Sequence, residues 1–167
     1  MTKKKNSGQI DFAWKVHGLL DTWTAKVDAK ASISLAIEVA VFGFVISLSK
    51  EHGVLSNLTG AQLFMYVIGV GLLVISMLLA VFVVFPQLAR FKSKKEWQKN
   101  MIYFGHLRHW DPVKLAKALP EDGLSKDQLA RQLVTMSKIA WRKHVWLQCS
   151  LGALVSGSLL LLFAGIT

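Results

Sequence analysis

Residues 63–85 read LFMYVIGVGLLVISMLLAVFVVF, twenty-three positions without an Asp, Glu, Lys or Arg. A helix needs about 20 apolar residues to cross the hydrocarbon core of a bilayer, and helices buried in soluble proteins are usually shorter. Residues 145–166 form a second uncharged run, of 22 residues. Residues 31–49 form a third, interrupted only by Glu38. The whole chain of 167 residues is 53% hydrophobic and 18% charged, with a mean hydropathy of +0.41. This distribution excludes a soluble enzyme, a secreted disulfide scaffold and a disordered tail. The fold class it predicts is all-α, with three transmembrane helices and a small helical cytoplasmic module.

Charge sets the expected topology. Residues 1–30 hold six basic and three acidic residues, and residues 86–144 hold thirteen and five. The loop 50–62 holds one of each. The positive-inside rule places both basic segments in the cytoplasm. The expected organisation follows: residues 1–30 a cytoplasmic tail and amphipathic helix, 31–49 the first span, 50–62 a periplasmic loop, 63–85 the second span, 86–144 the cytoplasmic module and 145–166 the third span. The N-terminus is then cytoplasmic and the C-terminus periplasmic, in a multi-pass protein of a bacterial inner membrane. A cleaved signal peptide is not expected, because the first apolar run starts late and lacks a small-residue cleavage site. Topology accounts for most of the net charge of +10, so a nucleic-acid polymer is not an expected partner. Lys3, Lys4, Lys5, Lys92, Lys94 and Lys95 suit anionic lipid headgroups.

Local signals fill in the elements. Residues 1–10 read as a mobile tail. Phe12, Val16, Leu19, Leu20, Trp23 and Val27 share one helical face, in a helix expected to run or bend into the first span. Pro86 ends the second span, and residues 87–104 read as a basic helix with Gly105 as a weak point. Asp111 and Pro112 are an N-cap and a first helical residue, opening a short helix over 113–119. Ser125 and Gln128 fit a capping box, after which nothing interrupts a helix from about Lys126 to Gly165. Trp141 and Trp146 flank Arg142, Lys143 and His144, as an interfacial belt would.

Glu38 is the sharpest functional signal. A charged residue at a span's centre costs about 2.5–3.5 kcal/mol on insertion scales, while the ten Val, Ile, Leu and Phe residues around it offset roughly 3–6 kcal/mol. Ala31 and Ser34 lie on its face, so this stripe should meet protein or water. Three readings are open: a protonated acid bonded inside the bundle, a residue lining a pore, or a proton relay. Small residues recur at four-residue spacing in Gly152 and Ser156, Ala153 and Gly157, and Ser76 and Ala80. Such pairs let helices approach closely, either within one chain or in a homo-oligomer. The module interleaves cations with aromatics, and Arg90, Tyr103, Arg108, Arg142 and Lys143 are candidates for a small phosphate ligand carrying a stackable base. His106 and His109 lie three apart without a third ligand, so no metal is assigned. There is no phosphate loop, nucleophile elbow or HExxH motif, so no catalytic residue is assigned and an enzyme is not expected.

Four short motifs also carry a family likeness: Trp23…Asp28-Ala29-Lys30-Ala31-Ser32, Phe85-Pro86, Ile102-Tyr103-Phe104-Gly105, and Gln132…Ser137…Ala140…Arg142-Lys143. In this order around three spans, the chain resembles the transmembrane effectors of Pycsar anti-phage systems. The resemblance implies a partner pyrimidine cyclase that makes cyclic CMP or cyclic UMP on infection. It further implies that the nucleotide, a ligand rather than a cofactor, activates the effector, that the inner membrane is impaired, and that the cell dies before phage are released. It singles out Asp28 and Lys30 as motif residues. The alternatives are a non-catalytic membrane anchor or scaffold and a holin-like pore without nucleotide gating.

Overall fold

The computed structural model describes residues 2–50, 53–86, 101–119 and 126–166. Every regular element among them is an α-helix: α1 Thr2–Leu48, α2 Ala61–Val84, α3 Phe104–Leu107, α4 Pro112–Ala118 and α5 Lys126–Ile166. Three of these, α1, α2 and α5, are long and apolar enough to cross a membrane. The chain is a multi-pass membrane protein. It divides into two compact units: residues 1–24 with 86–141, and residues 25–85 with 142–167. α1 and α5 contribute to both.

The second unit is a three-helix bundle whose packing is set by spacing. Buried positions on α1 are Val27, Ala31, Ser34, Glu38 and Val45. On α2 they are Gly69, Leu73, Ser76, Ala80 and Val83. On α5 they are Lys143, Leu147, Ser150, Gly157, Leu161 and Ala164. These intervals are three, four or seven, the heptad rule of helices that wind around one another with a left-handed twist. The seam is rich in small and polar residues. Ile33, Ile37, Phe64, Leu78 and Phe163 face outward, each more than half exposed. That is the packing expected in lipid, where burying leucine against leucine gains little and close backbone approach gains more.

α2 and α5 approach closely. A Cβ on Gly157 would stand 2.9 Å from the Gly69 carbonyl oxygen, and one on Gly69 would stand 3.0 Å from that of Gly157. Glycine at both positions is what lets the backbones meet. Val27, Ala31, Val83 and Leu147 pack together at one end of the bundle, with Trp146 against them. Val45, Leu55, Leu73 and Leu161 pack together at the other. There the Ser49 and Tyr66 hydroxyls lie 3.0 Å apart and tie α1 to α2.

In the first unit, the Asp111 carboxylate accepts from the Val113 and Lys114 amides, each at 3.1 Å, with Pro112 beside it. This is the expected cap, although α4 covers Pro112–Ala118 rather than 113–119. Lys126 Nζ donates to Gln9 Oε1 at 2.7 Å.

Three expectations are corrected. α1 begins at Thr2, so residues 2–10 are helix and not a loose tail; extending an existing helix adds a hydrogen bond per residue without a new nucleation cost. Residues 101–103 are not helical, and the region after them gives one turn, α3, instead of the end of a long basic helix. The face drawn through Phe12, Leu19 and Trp23 is exposed at those three residues, while Leu20 and Val27 are buried. The rest of that basic helix and the capping box at Ser125 lie outside the described residues.

The Gly69–Gly157 contact gives a first test. Gly157→Leu should force α2 and α5 apart and cost about 1–3 kcal/mol. Gly152→Leu should be near neutral, because nothing lies within 4 Å of a Cβ there. Reversible unfolding in mixed micelles measures both, and equal losses would rule out the assigned seam.

Candidate functional site

The site of greatest chemical interest is in the middle of the bundle. Glu38 is fully buried, and so are Ser76 and Ser150. Its Oε1 accepts from Ser34 Oγ at 3.0 Å, one turn earlier on α1. It also faces Ser76 Oγ of α2 at 2.7 Å and Ser150 Oγ of α5 at 3.0 Å. One carboxyl oxygen thus gathers a hydroxyl from each of the three helices.

The two distant serines form a reciprocal pair. Ser76 Oγ lies 2.7 Å from the Ser150 carbonyl oxygen, and Ser150 Oγ lies 3.1 Å from that of Ser76. Each hydroxyl has one proton, so each can donate to Glu38 or across to the other helix, but not both at once. The node therefore has more than one hydrogen-bond arrangement of the same heavy atoms. Glu38 Oε2 is buried without a hydrogen-bond partner. A buried acceptor left unmet costs about 1–3 kcal/mol.

A second polar contact lies within the same bundle. Lys143 Nζ donates to Asp28 Oδ1 at 2.6 Å and Oδ2 at 2.8 Å. The lysine side chain is 6% exposed and the aspartate 36%. The ammonium has three donors, and the carboxylate engages two. This ion pair joins α1 to α5 beside the Val27–Leu147 cluster. The expected ligand cation Lys143 and the motif residue Asp28 are thus partners of each other.

The remaining candidates are dispersed. Arg142 is exposed, with its guanidinium 6.0 Å from the centre of the Trp146 ring. Tyr103 meets His106 edge-on at 5.3 Å, and Arg108 Nε donates to His109 Nε2 at 3.2 Å. Lys30 is exposed, and Arg90 lies outside the described residues. Among the small residues, Gly157 is buried in the seam, whereas Gly152 and Ser156 are exposed on another face of α5. Ser76 was expected as a packing residue with Ala80; it is a hydroxyl donor as well. Ser150 and Gly69 were not singled out. The signal that finds them is heptad spacing: Glu38, Ser76 and Ser150 each stand seven residues from a small seam residue, respectively Ala31, Gly69 and Gly157.

The shared acceptor makes a quantitative prediction. Ser76→Ala and Ser150→Ala should each cost about 1–2 kcal/mol of bundle stability. The double variant should lose less than the sum, because both hydroxyls serve one oxygen and one another. Strict additivity in a double-mutant cycle would show that the serines act independently. Asp28→Asn and Lys143→Met should behave likewise as a pair.

Comparison with known proteins fixes the family. A profile described as the Pycsar effector protein domain matches residues 12–167. No curated protein and no solved structure matches the chain. The match takes in all three spans from Phe12 onward, the node, the ion pair and the segment between α2 and α5, and the chain accordingly belongs to the Pycsar effector family, as an effector of anti-phage defence rather than the cyclase.

Proposed function

We propose that this protein is a nucleotide-gated effector of abortive infection, activated by cyclic CMP or cyclic UMP, that impairs the bacterial inner membrane and kills the infected cell. The observation that carries the reading is the family match across residues 12–167. The basic segments 1–30 and 86–144 face the cytoplasm, where a partner cyclase would release its product. A cyclic mononucleotide carries one phosphate charge, which one or two cations suffice to meet. Arg142 is the better placed of the adjacent pair, being exposed, whereas Lys143 already holds Asp28. Tyr103, Arg108 and Arg90 are the further candidates, with an aromatic face for the base.

Binding favours one of two packings, by no more than the nucleotide's differential affinity for them. α5 is unbroken from Lys126 to Ile166, so a change at its start has a stiff path to Ser150 and Gly157. α1 offers the same from its own start to Glu38. Three helices enclose little space, so a lesion requires several copies. The exposed Gly152 and Ser156 give a second copy a face for close approach.

Reconstitution tests this directly. Purified protein in vesicles with an imposed potential should hold it until cyclic CMP or cyclic UMP is added, and cyclic AMP should do nothing. Leakage that depends on protein dose alone would favour a holin-like pore, and none under any condition would favour an anchor. Glu38→Leu should diminish the depolarisation. Undiminished depolarisation would remove Glu38 from the mechanism, and calorimetry with the three nucleotides separates lost binding from lost opening.

A further inference from the structure

A cavity of about 350 Å³ lies in the bundle between the last two turns of the apolar part of α1 and the end of α5, away from the node and the ion pair. Its floor is the buried cluster Val45, Leu55 and Leu161. Its rim is Phe44, Leu162 and Ile166, each more than half exposed. Among the described lining residues Ser158 alone carries a polar side-chain group. Val54 and Leu55, in the turn after α1, close one end: the Leu55 amide donates to the Leu48 carbonyl at 3.0 Å and holds the turn over the helix end.

We propose that this cavity is a binding site for one acyl chain of a membrane phospholipid. The rim residues lie on helices long and apolar enough to cross a bilayer, so in a membrane the side of the cavity between them faces hydrocarbon. A polar ligand would lose its hydration there without recovering hydrogen bonds. The lining runs along α1 from Val41 to Leu48, about 10 Å at 1.5 Å per residue. A groove of that length and volume, parallel to the helices, suits a linear chain, and phospholipid is the apolar species present at solvent concentration. The volume falls at the lower end of the range for small-molecule sites, about 300–1,000 Å³. A seated chain fills the gap between α1 and α5 that their own side chains leave. This assignment is independent of the nucleotide.

Gly165 and Val41 line the cavity from opposite walls. A Cβ at Gly165 would meet only Leu55 and Val54 side-chain atoms, at 3.4 and 3.5 Å, so a tryptophan there enters the cavity. Protein is extracted in mild detergent from vesicles of palmitoyl-oleoyl phosphatidylethanolamine and phosphatidylglycerol and weighed intact by native mass spectrometry. The wild type should retain one phospholipid per chain. Gly165→Trp and Val41→Trp, each checked for helix content by circular dichroism, should retain at least ten-fold less. The proposal is overturned if the wild type carries no phospholipid, or if a folded filled variant carries as much.

Discussion

A carboxyl group in the middle of a membrane-spanning helix has few ways to be met, and Glu38 shows how narrow the choice is. The segments 31–49, 63–85 and 145–166 contain no Lys, Arg or His, so no side chain within the spans can neutralise it. Hydroxyls are what the three helices offer, and each brings one to Oε1. The consequence reaches beyond the site. A slip of one heptad on α2 or α5 would carry Ser76 or Ser150 about 10 Å along the axis, leaving the carboxyl against carbon. A single polar residue in an apolar seam specifies register in coiled coils at some cost in stability. Here the node ties the registers of three helices together, because each of its far partners also lies within hydrogen-bond reach of the other's backbone carbonyl.

Once register is fixed, the small residues follow. Ala31, Gly69, Ala80, Gly157 and Ala164 fall in the seam, where they let the helices come close enough for a hydroxyl to reach a carboxyl. The middle of the bundle is therefore polar and small, Val and Leu clusters fill its two ends, and many of the remaining branched and aromatic side chains face outward. Asp28 and Lys143 mark where this regime ends. Lys143 is buried along its stem but ends on a carboxylate that is about one-third exposed, as suits a long cationic side chain reaching toward water.

The spans were legible in the sequence because they depend on a local property, the length of a run without charge. The α4 cap was legible for the same reason: Asp111 and Pro112 act on the next three residues. The node was only half legible. Glu38 stands out by residue type, and Ser34 by its one-turn spacing on the same helix. Ser76 and Ser150 lie 38 and 112 positions from Glu38, and pairing them requires knowing how far each helix is shifted along the membrane normal. The short loop limits that shift for α1 and α2, but a long segment separates α2 from α5. Lys143 looked like a free cation because its partner is 115 residues away. Gly152 and Gly157 looked equivalent because four-residue spacing does not say which of two faces is occupied. The seven-residue step from Ser150 to Gly157 does, since it selects the face that also carries Lys143.

The same seam bears on the proposed gating. Separating two leucine-lined helices in a bilayer admits lipid, because nothing on the new surface binds water. Separating α1 from α2 and α5 would uncover Ser34, Glu38, Ser76 and Ser150 together, with the unpartnered Oε2 among them. Each of these groups gains a hydrogen bond from water that it lacks or shares in the closed bundle. Each of the Ser76 and Ser150 hydroxyls has more than one acceptor within reach, so water can replace one partner without breaking a unique network. The polar seam thus lowers the cost of wetting the interior of this bundle relative to an apolar one, and it does so at the depth where a wetted path is hardest to form. The proposed gating is served by that combination, and Glu38, Ser76 and Ser150 belong to both the register lock and the wettable surface.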